Sequence, residues 1–158
     1  LIVGFGEDTD EQHLRVAEEL VKIGLRRIYY SPFQPVPKTP LEEKPPASKK
    51  RMIRLFQATE LLRIYGYTFK ELKTIMNRGF LPLNMDPKKA YAILHPELFP
   101  VDVNSASLRE LLRVPGIGVK YARRIIELRK IRDRISRRDL VNILGEKRFR
   151  SASKWTKL

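Results

Sequence analysis

The sequence predicts a mostly α protein with a small α/β part at its amino-terminal end. Apolar runs at residues 1–5 and 27–33 flank a segment of helical periodicity, and nearly every later apolar pattern has helical spacing. Pro and Gly punctuate the chain between these segments. A length of 158 residues suffices for one moderate domain or two small ones. Three parts are expected: residues 1–41 as a strand-helix-strand unit, 42–100 as a basic helical connector and 101–158 as a helical domain around a tight turn.

Leu1–Phe5 is a short apolar run ending between Gly4 and Gly6, consistent with a buried parallel strand. Thr9 and Gln12 form a capping-box pattern. Leu14, Ala17, Leu20 and Val21 make the inner face of the helix that follows, and Gly24 ends it. Arg27–Phe33, rich in Ile and Tyr, is the second strand. Leu41–Lys50 reads as a Pro- and charge-rich linker. From Ser48 to Tyr65 the positions Met52, Leu55, Phe56, Thr59 and Leu62 form an apolar stripe, with Lys49, Lys50, Arg51, Arg54 and Arg63 off it. Gly66 ends that helix and a shorter one is expected over Phe69–Met76. Pro87 suits the first turn of a helix running to about Leu94. Pro96 and Pro100 close that section.

Ser105 and Ser107 are candidate caps for a helix through Leu108, Leu111 and Leu112. Two short apolar-periodic segments then meet at Val114-Pro115-Gly116-Ile117-Gly118, with Ala122 and Ile125 at helical spacing beyond. Gly116 and Gly118 permit backbone angles and a close approach that a Cβ forbids. Pro115 sets the entry, and Ile117 pins the tip of the turn into the apolar layer. Ser136 caps a further helix, Arg137–Leu144, with Leu140, Ile143 and Leu144 inward. The tail Lys147–Leu158 is basic, and its Trp155 is read as a packing residue rather than a stacking platform.

Charge follows the same order. The net value is +14, with 6 basic and 8 acidic residues in 1–47, 10 and 4 in 48–100, and 16 and 6 in 101–158. The positive excess gathers around the glycine turn, which points to a polyanionic partner. The helix after the turn begins with unpaired N–H groups at the positive end of its dipole, a ready phosphate site. Lys120, Arg123 and Arg124 lie on its first turns. Such a site grips a sugar-phosphate backbone and reads no base edge; a turn that serves packing alone is the competing reading.

Other chemistry is sparse. The chain has no Cys, which removes disulfides and thiolate metal sites and fits a reducing, cytoplasmic interior or a thermophile. No apolar run approaches the roughly 20 residues of a membrane helix, so no membrane partner is expected. His13 and His95 lack metal-ligand spacing and are read as structural or exposed. Glu18-Glu19 and Glu42-Glu43 read as solvated acids, and no nucleophile–base constellation stands out.

The stretch Leu112–Ile125 resembles the helix-hairpin-helix motif, a non-sequence-specific nucleic-acid-binding element of many DNA repair proteins. Pro115, Gly116, Ile117, Gly118, Lys120, Arg123 and Arg124 are its binding residues by that resemblance. The position of Lys120 is also similar to that of the Schiff-base lysine in bifunctional helix-hairpin-helix DNA glycosylases, which would make it the single catalytic candidate, with Asp139 as a distant partner. The surroundings of Asp139 suggest a helix start instead.

A second resemblance lies at the other end. Ile2-Val3-Gly4-Phe5-Gly6-Glu7 is similar to the late barrel strand of radical S-adenosylmethionine enzymes. Tyr30-Ser31-Pro32-Phe33-Gln34-Pro35 resembles the Pro-rich exit from their final strand. Together the two ends resemble the carboxyl-terminal half of a radical SAM protein of the DNA modification and repair group: a βαβ remnant of a (β/α) barrel, then a helix-hairpin-helix domain. The resemblance implies S-adenosylmethionine and a 4Fe–4S cluster for an intact parent, with Ile2, Gly4 and Glu7 as remnants of the cofactor site. An ordinary βα turn is the alternative reading of those three. The family's cluster cysteines are absent here, so no cofactor is expected in this chain, and an amino-terminal barrel half is expected to precede Leu1. The implied role is DNA docking. An RNA-binding or ribosome-associated protein derived from such an enzyme is the alternative.

Overall fold

A computed structural model describes all residues, 1–158, and the chain forms two compact units, Leu1–Ala90 and Tyr91–Leu158. Residues 42–90, expected as part of a separate connector, pack within the first unit.

In the first unit β1 (Ile2–Val3) and β2 (Ser31–Pro32) pair in parallel around α1 (Asp10–Lys22), the expected strand-helix-strand order. Both strands are shorter than the apolar runs that predict them. Ser31 and Phe33 donate to the carbonyls of Leu1 and Val3, so Pro32, which has no N–H, sits where no donor is required. The capping box of Thr9 and Gln12 is formed, and α1 buries His13, Leu14 and Ala17. Its end is a Schellman arrangement, with Leu25 N–H on the Leu20 carbonyl and Gly24 N–H on that of Val21.

Helix α2 (Lys49–Arg63) packs on α1. Its inner face is rotated from the expected stripe: Leu55 and Thr59 are buried, joined by Ala58 and Leu61, while Phe56 is 47% exposed. The rotation has a polar cause. Arg51, read as an outward basic residue, turns inward and donates from Nε to Asp10 Oδ1 at 2.6 Å. Asp10 is fully buried and its other oxygen accepts from Leu81 N–H at 2.9 Å, so the buried carboxylate is paired and satisfied. Glu18 is likewise no merely solvated acid, since it accepts from the Phe69 N–H at the start of α3 (Phe69–Lys73). Beyond Lys73 the expected helix tightens into three-residue turns through Met76. His13 is buried, 2.9 Å from Asp8 Oδ2 and edge-on to Tyr30, a structural position.

Helix α4 (Pro87–Leu94) starts at Pro87 as its sequence demands. Lys88 on it is buried, and burial pushes its amine down to about 7, with Asp86 opposing. Its Nζ lies 4.8 Å from the centre of the Tyr65 ring.

The second unit is four helices closed by a short parallel ladder. These are α5 (Leu108–Arg113), α6 (Val119–Arg129), α7 (Arg137–Leu144) and α8 (Glu146–Ala152). The ladder joins β3 (Val101–Asp102) to β4 (Thr156–Lys157), so the first and last strands of the unit clasp each other. Helix α8 falls largely in the tail read only as basic, because only Phe149 and Ala152 of its seven residues turn inward. Trp155 packs edge-on against Phe99 with ring centres 5.4 Å apart, in keeping with a packing role.

Candidate nucleic-acid interface

The interface is built from the turn between α5 and α6. Ser107, not Ser105, caps α5: its hydroxyl accepts from Glu110 N–H while Glu110 Oε2 accepts from Ser107 N–H at 2.7 Å. The Ser107 hydroxyl, then its N–H, hold the Glu110 carboxyl below its ordinary range. Leu111, Leu112 and Val114 are buried, and the chain leaves the helix at Val114 in extended conformation. Ile117 N–H then donates to the Val114 carbonyl at 3.0 Å, closing a four-residue turn with Pro115 second and Gly116 third. A third residue at φ +91 is what the type II turn demands, and Gly supplies it without steric cost. Ile117 is 1% exposed and is the pin the sequence predicts.

The two glycines differ. Gly118 lies at φ −100, a value open to any residue, and serves as the cap of α6 without offering a side chain. Its carbonyl accepts from Tyr121 at 3.0 Å and Ala122 at 2.9 Å, so the N–H groups of Val119 and Lys120 before them have no partner within the helix. Gly116 is close-packed on the protein's own side. A Cβ there would lie 3.3 Å from the Arg148 carbonyl oxygen and 3.4 Å from Ser151 Cβ. The close approach read from the sequence is therefore at Gly116 an approach to α8.

The first turn of α6 contains no acid. Lys120, Arg123 and Arg124 are exposed, and none is engaged by an acid of the chain. Ala122 and Ile125, on the opposite face, are fully buried against the rest of the unit. Tyr121 beside them lies under Arg148, whose guanidinium carbon is 5.2 Å from the ring centre. Sequence reading misses that contact, since the two residues are 27 positions apart. The arrangement thus joins an open helix start with three unpaired cations.

Asp139 is committed elsewhere. It is the third residue of α7 and completes a capping box with Ser136, its Oδ2 2.6 Å from the Ser136 hydroxyl. Those bonds hold the carboxyl below its ordinary value, with Arg132 adding to the effect. It is a helix start, as its surroundings suggest, and not a free partner for Lys120.

At the other end, Ile2, Gly4 and Glu7 do not make a cradle. Ile2 and Glu7 are exposed, and a Cβ at Gly4 would lie 2.8 Å from Ala47 Cβ, so the bare face of Gly4 is covered by Ala47. With no Cys in the chain there is no thiolate for a cluster either. These residues do not fit S-adenosylmethionine and a 4Fe–4S cluster, and no chemistry is derived through them.

Residues 99–156, which hold α5, the glycine turn and α6, match the family model described as "Helix-hairpin-helix motif". The chain is also similar to the Holliday junction branch migration complex subunit RuvA of Micrococcus luteus, at 26% identity over 118 residues, covering 73% of this chain and 54% of that protein. The chain thus spans about half the length of this relative. No solved structure matches it significantly. No helix is long and apolar enough to cross a membrane.

Proposed function

We propose that the chain binds DNA through the sugar-phosphate backbone, without reading base sequence, at the start of α6. Pro115, Gly116, Ile117 and Gly118 shape the turn, while the Val119 and Lys120 N–H groups with Lys120, Arg123 and Arg124 grip phosphate. The observation that carries this reading is the start of α6, with no side-chain cap and no acid in its first turn, among three cations that no acid of the chain engages. The match to the helix-hairpin-helix motif supports it, as does similarity to a relative named for Holliday junctions.

The test is a fluorescence-anisotropy titration against duplexes of unrelated sequence at several salt concentrations, with duplex RNA alongside. Affinity is expected to be indifferent to sequence, to fall linearly on a log–log salt plot, and to favour DNA. Absence of duplex binding at low salt overturns the reading, and preference for duplex RNA moves it to an RNA partner.

The likeness of residues 1–41 to the end of a radical SAM barrel extends the proposal to a larger protein in which this chain is the DNA-docking part and the whole cofactor site, to which Ile2, Gly4 and Glu7 contribute nothing, is supplied from elsewhere. Its test is the reading frame upstream of Leu1. An in-frame Cys-x-x-x-Cys-x-x-Cys supports the extension, and a complete upstream frame without one removes it.

A further inference from the structure

Helix α2 keeps one face outside the core. Lys49, Ile53, Phe56, Glu60 and Arg63 recur at spacings of four and three and share one side. Ile53 is 45% exposed and Phe56 47%. Beside Phe56 runs the extended segment that leads into β2. Its residues alternate, with Ile28 and Tyr30 buried and Tyr29 turned out at 68% exposure. The Tyr30 hydroxyl lies 2.7 Å from the Thr59 hydroxyl, a buried bond that fastens the segment carrying Tyr29 to the helix carrying Phe56. Arg27, Ile28, Tyr29, Phe56, Glu60 and Arg63 line one concavity of about 250 Å³.

Its charge is equally ordered. Glu60 accepts from Arg63 Nε at 3.0 Å and Nη2 at 2.9 Å, a forked pair that neutralises the only acid lining the concavity. Arg27 is exposed without an acid partner and remains the free cation at the edge. The unit as a whole holds 16 basic and 11 acidic residues.

We propose that this concavity binds an unpaired base of single-stranded DNA, stacked on Tyr29 and Phe56, with Arg27 on the adjoining phosphate. Aromatic side chains beside a cation form the platform on which exposed bases stack, whatever their identity. In a duplex both faces of each base are covered by neighbours, so only unpaired bases enter. An apolar protein partner would bury Arg27 without a counter-charge, whereas a polyanion supplies one. The site rests on the nucleic-acid reading above, but it shares no residue with the start of α6.

The whole chain is titrated by anisotropy against oligothymidine, an abasic strand of equal length and charge, and a duplex. Oligothymidine is expected to bind more tightly than the abasic strand. Tyr29→Ala and Phe56→Ala are each expected to weaken oligothymidine binding about fivefold to a hundredfold, to leave duplex binding unchanged, and to leave the melting curve near that of the parent. Tyr29→Phe, which keeps the ring, is expected to retain binding. Equal affinity for oligothymidine and the abasic strand overturns the site, as do alanine variants that bind oligothymidine normally. Self-association that Phe56→Ala abolishes also overturns it, by assigning the face to a second copy of the chain. Lys120→Glu with Arg123→Glu is expected to remove duplex binding and spare the base-dependent part of oligothymidine binding. Loss of that part alone therefore breaks this proposal, and absence of duplex binding alone breaks the reading at α6.

Discussion

The second unit contains the same device twice, and only one copy is open. Ser107-x-x-Glu110 and Ser136-x-x-Asp139 both form capping boxes, Leu111 and Leu140 are both buried, and Gly116 and Gly145 both have positive φ, +91 and +75. Each pair lies 29 positions apart. After the glycine the copies diverge. In the first, Ile117 and Gly118 intervene, so the chain drives an apolar pin inward before α6 starts without an acid in its first turn. In the second, Gly145 both ends α7 and starts α8, and Glu146 stands at the first helical position. A carboxylate there favours the helix dipole and repels phosphate. Two residues therefore separate a helix start free of acids from one that carries Glu146 in its first turn.

The glycines sharpen the comparison most. A Cβ at Gly116 meets α8, whereas at Gly145 nothing lies within 4 Å. Gly116→Leu combines left-handed strain with overpacking and is expected to cost the second unit about 2–4 kcal/mol. Gly145→Ala carries strain alone, about 1–2 kcal/mol. Urea denaturation checks both, and equal costs would break the asymmetry.

On the binding side, Lys120→Glu is expected to lower the salt slope for duplex DNA by about 0.9. Glu146→Lys is expected to raise affinity by removing an acid from a basic surface. A salt titration that finds Lys120 inert, or Glu146→Lys weaker in binding than the parent, would reverse the roles assigned to the two turns.

The capping boxes are where the copies are expected to agree. Ser107→Ala and Ser136→Ala should each cost about 1 kcal/mol in thermal or urea unfolding. A large disparity would mean that one box is redundant.

The smallest effect is on pH. Glu110 and Asp139 are both held below their ordinary values, so each contributes stability above its unfolded pKa, and that contribution is lost as the pH falls through the lowered folded value. Acid titration of stability should therefore flatten in the double Ser→Ala variant. An unchanged acid slope would remove the boxes from that dependence.

Legibility followed the range of each interaction. The caps at Thr9 and Ser136, the helix beginning at Pro87 and the turn around Gly116 can all be read, since each is decided by residues within a few positions. Helix α8 cannot, because its basic run lacks periodicity and holds its place through Phe149 and Ala152 alone. Phe56 is misread for the opposite reason: it fits the apolar stripe, but the buried Arg51–Asp10 pair sets how α2 turns.

By itself the sequence determined the helical class, the order of strand, helix and strand, the glycine turn and the gathering of positive charge around it. These depend on hydrogen bonds and steric limits close along the chain. Only the tertiary structure shows that Gly116 faces α8, that Tyr29 and Phe56 share one concavity, and that Arg51 turns inward to the buried Asp10. Each of these joins or separates residues through packing across the fold, and local periodicity carries no record of which distant surface a side chain will meet.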